Sequence, residues 1–212
     1  MHHVMFDIDG TLVETSTIDN ELFASAVHEV IGVDIDTNWL NYKHVTDTGI
    51  LYEVFERNGL LEREADILRA VKSSFVDKIT VKLEKSPARE VPGAISFINH
   101  LNSLDDVAVS FATGGWGDVS ALKLRSAGFT VSDDAISSSN DHFIRTEIMK
   151  LARAKFPAIP DHARTYFGDG AWDKRACEEL GINFVLVGKN TTHYQNISDF
   201  NSIYEAMTFI GL

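Results

Sequence analysis

Residues 4–12 read Val-Met-Phe-Asp-Ile-Asp-Gly-Thr-Leu, a short apolar run that ends in two aspartates, a glycine and a threonine. The apolar run shows almost no alternation, which is typical of a central parallel strand buried on both faces. Ligands of open parallel α/β sheets bind beyond the carboxyl ends of the strands. The segment therefore predicts a buried strand that carries Asp7 and Asp9 into a ligand site, although an ordinary strand end with an Asp-Gly turn has the same local pattern.

The composition is that of an ordinary globular protein, and it limits the partners of the chain. Of 212 residues, 44% are hydrophobic and 24% are charged, and the net charge is −12. This charge repels polyanions, so we expect no nucleic-acid partner, whereas a small phosphorylated ligand stays compatible because a metal ion can invert the local charge. No apolar stretch is long enough to span a bilayer, so we expect no membrane partner either.

The N-terminal sequence and the cysteine content favour a cytoplasmic protein. The chain runs directly into the predicted first strand without the pattern of a signal peptide. Cys177 is the single cysteine, which excludes an intrachain disulfide and fits a reducing compartment. We expect a monomer or a homodimer.

Beyond the first strand the chain divides into a helical block and an alternating block. Residues 17–90 carry apolar residues at helical spacing, and no strand pattern interrupts them. The composition changes near Val91-Pro92-Gly93, and strand and helix patterns then alternate as in a parallel sheet covered on both faces. The predicted fold class is α/β, a doubly wound parallel sheet formed by residues 1–13 and 91–212, with residues 14–90 inserted as a helical domain.

A second strand pattern also ends in residues that suit a ligand. The apolar run of residues 107–112 leads to Thr113 and Gly114. A hydroxyl followed by glycine amides can approach an anion closely. A flexible turn with a capping threonine is the alternative interpretation of these residues.

A third strand pattern ends in carboxylates that suit a cation. Asp169 and Asp173 lie four positions apart on a glycine-rich loop between a strand and a helix, which suits a hard divalent ion with oxygen ligands. Asp173 could instead only cap the helix that follows. Upstream, Arg145 lies in the first turn of a predicted helix, where a cation opposes the helix dipole, and Lys150 is the competing candidate for a functional cation.

In this order and spacing, the motifs resemble the haloacid dehalogenase-like (HAD) hydrolase superfamily. The resembling branch has a helical cap inserted after the first strand, and phosphoglycolate phosphatase and β-phosphoglucomutase are typical members. Four matches span nearly the whole chain: Asp7-Ile-Asp9-Gly-Thr11, Thr113, Arg145, and Gly168-Asp169 with Asp173. The resemblance implies a Rossmann-like core of residues 1–13 and 91–212 and a cap of residues 14–90. The family usually has a lysine where this chain has Arg145, which keeps the charge with a different geometry.

The resemblance also implies a mechanism for phosphate esters. Asp7 would attack phosphorus and form an aspartyl-phosphate. Asp9 would protonate the leaving oxygen and then deprotonate the water that hydrolyses the intermediate. The implied phosphate contacts are Thr113, the amide of Gly114, and Arg145. The implied cofactor is Mg²⁺, with Asp7, the backbone carbonyl of Asp9, Asp169 and Asp173 around it.

The polar segment of residues 44–49 is the predicted part of the cap that faces the substrate, with Thr46 and Thr48 as contacts. An ordinary turn is the alternative. The resulting hypothesis is a Mg²⁺-dependent phosphatase for a small phosphorylated metabolite. A phosphomutase of the β-phosphoglucomutase type and a non-enzymatic phospho-acceptor module are the alternatives. Asp9 and the long insertion argue against the phospho-acceptor, because such a module needs neither a leaving-group acid nor a lid.

Overall fold

The computed structural model describes residues 1–211, and a six-stranded parallel sheet lies at its centre. The strands are β1 (His2–Phe6), β2 (Val107–Ala112), β3 (Ile136–Ser137), β4 (Arg164–Gly168), β5 (Asn183–Val187) and β6 (Asn196–Ile197). Their order across the sheet is β3-β2-β1-β4-β5-β6, and each neighbouring pair is parallel. The apolar strand of the opening motif thus has a partner on each side, and the predicted doubly wound parallel sheet is confirmed.

Helices cover both faces of the sheet. Residues 1–211 form eight α-helices: α1 (Ser16–Ile31), α2 (Asp47–Asn58), α3 (Glu64–Lys85), α4 (Ala94–Asn102), α5 (Gly117–Ser126), α6 (Arg145–Ala154), α7 (Ala171–Leu180) and α8 (Ile203–Ile210). Alternate residues of β1 enter different hydrophobic clusters. Phe6 packs with residues of α4 and α8, whereas Met5 packs with residues of α6 and α7. The lack of alternation in the sequence of β1 therefore reflects burial on both faces.

The segment of residues 14–89 contains α1, α2, α3 and short 3₁₀ turns, and no strand. Its helices enclose a hydrophobic cluster of their own, which includes Phe23 and Phe75. Trp116 of the β2–α5 loop is 1% exposed and packs against both rings, with centroids 5.8 Å from Phe23 and 6.0 Å from Phe75. The division into residues 1–13 with 91–212 and residues 14–90 stays a prediction.

The two connections between the sheet and this helical segment run side by side. The amide of Glu14 donates to the carbonyl of Arg89 at 2.9 Å, and the amide of Val91 donates to the carbonyl of Leu12 at 2.8 Å. None of the helices formed by residues 1–211 combines the length and apolar character that crossing a membrane requires.

Local hydrogen bonds determine where the helices next to the cavity begin. Residues 38–44 contain only a 3₁₀ turn, Trp39–Asn41. The helix α2 begins at Asp47, because the hydroxyl of Thr46 accepts from the amide of Gly49 and caps it. The helix α6 begins at Arg145, because the ring of His142 accepts from the amide of Ile144 and competes with helical bonding.

A buried histidine lies within the sheet. His3 is 0% exposed, and its Nδ1 is 2.6 Å from Nη1 of Arg164, which can only donate. Its Nε2 therefore carries the proton and donates to Oγ of Ser110 at 2.8 Å. Burial and the neighbouring Arg164 lower the pKa of His3 to about 3.

This histidine should make the protein less stable in mild acid. The unfolded chain takes up a proton at His3 below about pH 6.5, whereas the folded chain does not do so until about pH 3. We expect the free energy of unfolding to fall by roughly 1 kcal/mol per pH unit between these values on this account, as urea denaturation can measure. In His3→Gln this contribution should disappear. The exposed His162 is the matched control, and His162→Gln with the same effect as His3→Gln would contradict the assignment.

Candidate active site

Three strand ends bring carboxylates and a hydroxyl together at one edge of the sheet. Asp7 follows β1, Thr113 follows β2, and Asp169 follows β4, and these three strands are neighbours. Asp173 lies in the first turn of α7. One carboxylate oxygen from each of Asp7, Asp169 and Asp173 lies within 4.8 Å of the others. The three side chains are 4%, 4% and 0% exposed, so three carboxylates share a small buried volume.

The backbone next to these carboxylates is shaped by glycine. Gly10 has φ +78°, and a Cβ at this position would overlap the carboxylate of Asp169. A Cβ on Gly114 would overlap the guanidinium of Arg145. Both positions therefore require glycine for the close approach of charged groups, and Gly10 also needs it for its left-handed conformation.

Arg145 is the cation at this edge. Its Nη1 donates to Oδ1 of Asp173 at 2.7 Å and lies 3.6 Å from Oδ1 of Asp7. Burial lowers its pKa, but the carboxylates of Asp173 and Asp7 raise it further, so the net pKa is raised. Lys150, the competing candidate, lies further along α6 than Arg145 and pairs with Glu147 at 2.7 Å. The side chain of Lys150 is 41% exposed, compared with 10% for Arg145.

The carboxylate cluster is suited to a divalent cation. Oδ1 of Asp7 and Oδ1 of Asp169 are buried and have no hydrogen-bond partner among residues 1–211. Burial and the charge of Asp173 raise the pKa of Asp7 to about 7. Burial and the charge of Asp7 raise the pKa of Asp169 well above its usual value. Two carboxylate oxygens without hydrogen-bond partners, surrounded by other negative charges, match the oxygen ligands that Mg²⁺ prefers.

Asp9 is held by a buried lysine that the sequence analysis did not identify. Nζ of Lys123 donates to the two carboxylate oxygens of Asp9 at 2.7 and 2.6 Å, and to Oδ1 of Asp19 in α1 at 2.9 Å. The hydroxyl of Thr15 also donates to Asp9. Burial lowers the pKa of Lys123, but Asp19 and Asp9 raise it above its usual value. A signal was present in the sequence, because Lys123 lies four positions after the apolar Val119 and therefore on the same face of the helix.

A cavity of about 230 Å³ lies between this edge and the helical segment. The predicted catalytic and phosphate-binding residues that line it are Asp7, Asp9, Thr113, Gly114, Arg145 and Asp169. Asp173 lies behind them, where it accepts from Arg145 and from the amide of Gly170. The structure therefore brings together the residues that were predicted from four separate motifs.

The helical segment closes the cavity through direct bonds to the β2–α5 and β3–α6 loops. The amide of Asp47 donates to the carbonyl of Gly114 at 2.9 Å, and Oδ2 of Asp47 accepts from the amide of Trp116 at 2.8 Å. Thr46 lines the cavity. The hydroxyl of Thr48 is instead occupied by the carbonyl of Ser139 and the indole of Trp116, outside the cavity lining. The hydroxyl of Thr46 is occupied as well, because it donates to the carbonyl of Phe143 at 2.6 Å and accepts from the amide of Gly49 at 3.0 Å. Both threonines stay predicted substrate contacts, and of the two only Thr46 lines the cavity.

The fold and the site define a class of α/β protein in which carboxylates and a guanidinium lie together at the carboxyl ends of parallel strands. A family model described as "Haloacid dehalogenase-like hydrolase" matches residues 4–187. The chain belongs to this family of hydrolases, and the resemblance found in the sequence is confirmed.

Solved structures with the same fold cover nearly the whole chain at low identity. A β-phosphoglucomutase from Clostridium difficile is 14% identical with a TM-score of 0.76, and the match covers 100% of this chain and 97% of that one. CbbY from Rhodobacter sphaeroides in complex with phosphate is 18% identical, with a TM-score of 0.70 and 96% of each chain covered. A family IA HAD hydrolase from Entamoeba histolytica is 17% identical, with a TM-score of 0.73 and 100% of each chain covered. No curated protein matches the sequence.

The Lys123 network should be important for stability. Lys123→Met leaves the carboxylates of Asp9 and Asp19 without their cation, and their side chains are only 19% and 15% exposed. We expect the free energy of unfolding to fall by about 3–5 kcal/mol, measured by urea denaturation. Lys150→Met removes a surface pair and should cost about 0–1 kcal/mol. Equal small losses in both variants would show that Lys123 contributes no more than a surface lysine.

Proposed function

We propose that the protein is a Mg²⁺-dependent phosphatase that hydrolyses a small phosphorylated metabolite through an aspartyl-phosphate intermediate. The observation that carries this proposal is the carboxylate of Asp7, whose Oδ1 is buried, lacks a hydrogen-bond partner among residues 1–211, and lies 3.6 Å from the guanidinium of Arg145. A carboxylate next to a cation that can bind phosphoryl oxygens is suited to attack phosphorus. Membership of the hydrolase family supports the same reaction class.

The first half of the proposed reaction is formation of the phospho-enzyme. An oxygen of Asp7 attacks phosphorus while the bond to the leaving oxygen breaks. Arg145 and the amide of Gly114 bind phosphoryl oxygens and hold the group in line, and the hydroxyl of Thr113 contacts it from the neighbouring strand end. Mg²⁺, held by Asp7, the carbonyl of Asp9 and Asp169 with Asp173 in support, would supply neutralisation of the phosphoryl charge.

The second half of the proposed reaction depends on Asp9. This residue gives a proton to the leaving oxygen and then takes one from the water that attacks the aspartyl-phosphate. Lys123 and Thr15 fix the position of its carboxylate at the rim of the cavity. Closure by residues 14–90 excludes bulk water, which strengthens the electrostatic interactions of the phosphoryl group with Arg145.

The composition of the cavity supports hydrolysis over the alternatives. A phosphomutase must hold a second phosphate group across the cavity from Asp7, and residues 14–90 contribute no lysine or arginine to the lining. A phospho-acceptor module needs neither a leaving-group acid such as Asp9 nor a lid over the acceptor. We further propose a cytoplasmic location, which the single buried Cys177 supports, and a monomeric or homodimeric state.

Purified protein with Mg²⁺ should release inorganic phosphate from p-nitrophenyl phosphate and from small phosphate esters, and EDTA should abolish the release until Mg²⁺ is restored. Asp7→Asn removes the nucleophile and should lower kcat by at least about 10³-fold while the circular dichroism spectrum stays unchanged. Asp9→Asn should slow alkyl phosphates more than p-nitrophenyl phosphate, because nitrophenolate leaves without protonation. Near-normal turnover by Asp7→Asn would refute the nucleophile assignment. Conversion of a sugar phosphate to an isomeric sugar phosphate without release of inorganic phosphate would indicate a mutase.

Arg145 should carry the charge that the family usually places on a lysine. Arg145→Ala should lower kcat/KM by about 10²-fold or more, because it removes the cation from the phosphoryl site. Arg145→Lys should recover a substantial part of this loss, since the charge returns without the bidentate geometry. Lys150→Ala is the matched control on the same helix and should be nearly silent. If Lys150→Ala were impaired and Arg145→Ala were not, the cation of this site would have to be reassigned.

A further inference from the structure

Aromatic and acidic side chains line the leaving-group half of the cavity, which is the half that faces the nucleophile Asp7. Phe23 and Trp39 of the helical segment line it, with ring centroids 6.2 Å apart in an edge-to-face arrangement. The indole of Trp39 is fixed by a hydrogen bond to Asn20 at 2.9 Å. Asp19 and Asp47 line the same half. Aromatic faces beside carboxylates attract organic cations and do not stabilise anions.

Both cations near the cavity are already engaged by carboxylates. Arg145 pairs with Asp173 and Asp7 at the phosphoryl end. Lys123 is fully buried, and its ammonium group is shared between Asp9 and Asp19. Among residues 1–211 the cavity lining contains one arginine and no lysine. A carboxylate or a second phosphate on the leaving group would therefore meet Asp47 and find no cation.

The carboxyl groups of Asp19 and Asp47 lie outside the proposed metal site. They do not belong to the cluster of Asp7, Asp169 and Asp173 whose oxygens lie within 4.8 Å. Oδ2 of Asp47 accepts from the amide of Trp116, and Asp47 forms no ion pair among residues 1–211. Burial, with the charge of Asp19 added, raises the pKa of Asp47 to about 8 although Lys123 opposes this shift. An ammonium group bound beside Asp47 would favour its charged form.

We infer that the substrate is a phosphate monoester whose alcohol carries an ammonium group. This inference rests on the proposed function. The phosphate lies at Asp7 and Arg145, the alcohol extends toward the helical segment, and the ammonium group lies between the carboxylate of Asp47 and the rings of Phe23 and Trp39. The cavity of about 230 Å³ is below the ~300–1,000 Å³ range of drug-sized pockets, which suits a short amino alcohol.

The test compares kcat/KM among esters that differ in the charge of the alcohol. The probes are phosphocholine and phosphoethanolamine as cationic esters, glycerol 3-phosphate as a neutral ester, and phosphoglycolate and a sugar bisphosphate as anionic ones. We expect the better cationic ester to exceed glycerol 3-phosphate by about ten-fold, and the anionic esters to fall below it. Preference for phosphocholine would show that the aromatic rings contribute most to binding of the ammonium group. Preference for phosphoethanolamine would show that Asp47 contributes most.

Two substitutions test whether Asp47 and Trp39 cause the preference for a cationic ester. Asp47→Asn keeps an oxygen for the amide of Trp116 but removes the charge, and Trp39→Leu removes an aromatic face. Each should lower the kcat/KM ratio of cationic to neutral ester by several-fold, and this ratio does not depend on the fraction of protein that folds. Glu21→Gln removes an exposed charge from α1 outside the cavity and should leave the ratio unchanged.

The outcomes separate this inference from the function on which it rests. Hydrolysis of p-nitrophenyl phosphate together with equal or better use of the neutral or anionic esters would overturn the inference and leave the phosphatase intact. An unchanged ratio in both Asp47→Asn and Trp39→Leu would also overturn it. Failure to hydrolyse every ester, including p-nitrophenyl phosphate, would overturn the proposed function and the inference together.

Discussion

Repulsion among buried carboxylates is the constraint on which the rest of this structure depends. Asp7, Asp169 and Asp173 lie in one small volume at the edge of the sheet, with a single guanidinium beside them. Such a group of charges is stable only if the backbone around it is held rigidly, because each carboxylate would otherwise turn toward water. The central position of β1 provides this rigidity, since hydrogen bonds to a neighbouring strand on each side fix the point where Asp7 leaves the sheet.

The sequence was sufficient to predict this edge of the sheet, because the residues next to each functional side chain in the chain show where it lies. Asp7, Thr113 and Asp169 each follow an apolar run, and parallel neighbouring strands must end at the same edge. Arg145 was predicted from its place at a helix start, and its guanidinium does lie beside Asp7. The strand β6 had no comparable signal, because it is two residues long and pairs only at the margin of the sheet.

The remaining features depend on how distant elements approach one another, which spacing along the chain does not encode. Lys123 contacts Asp9 across 114 positions, and only the packing of α5 on the sheet and on α1 brings them together. The same is true of Thr48, whose hydroxyl bonds to Ser139 rather than facing the cavity. In each case the sequence shows a polar residue on a helix face that is otherwise apolar, but it does not show which distant residue that side chain will contact.

The paired crossings between the sheet and residues 14–90 have a mechanical consequence. The two strands of chain are tied to each other by backbone hydrogen bonds, Glu14 to Arg89 and Val91 to Leu12, and so form a short ribbon instead of two independent tethers. A ribbon bends more readily than it twists, so any displacement of residues 14–90 relative to the sheet has to bend both connections together. The same displacement would also separate the ion pair of Lys123 with Asp19 and the hydrogen bonds that Asp47 and Thr48 make to the sheet loops.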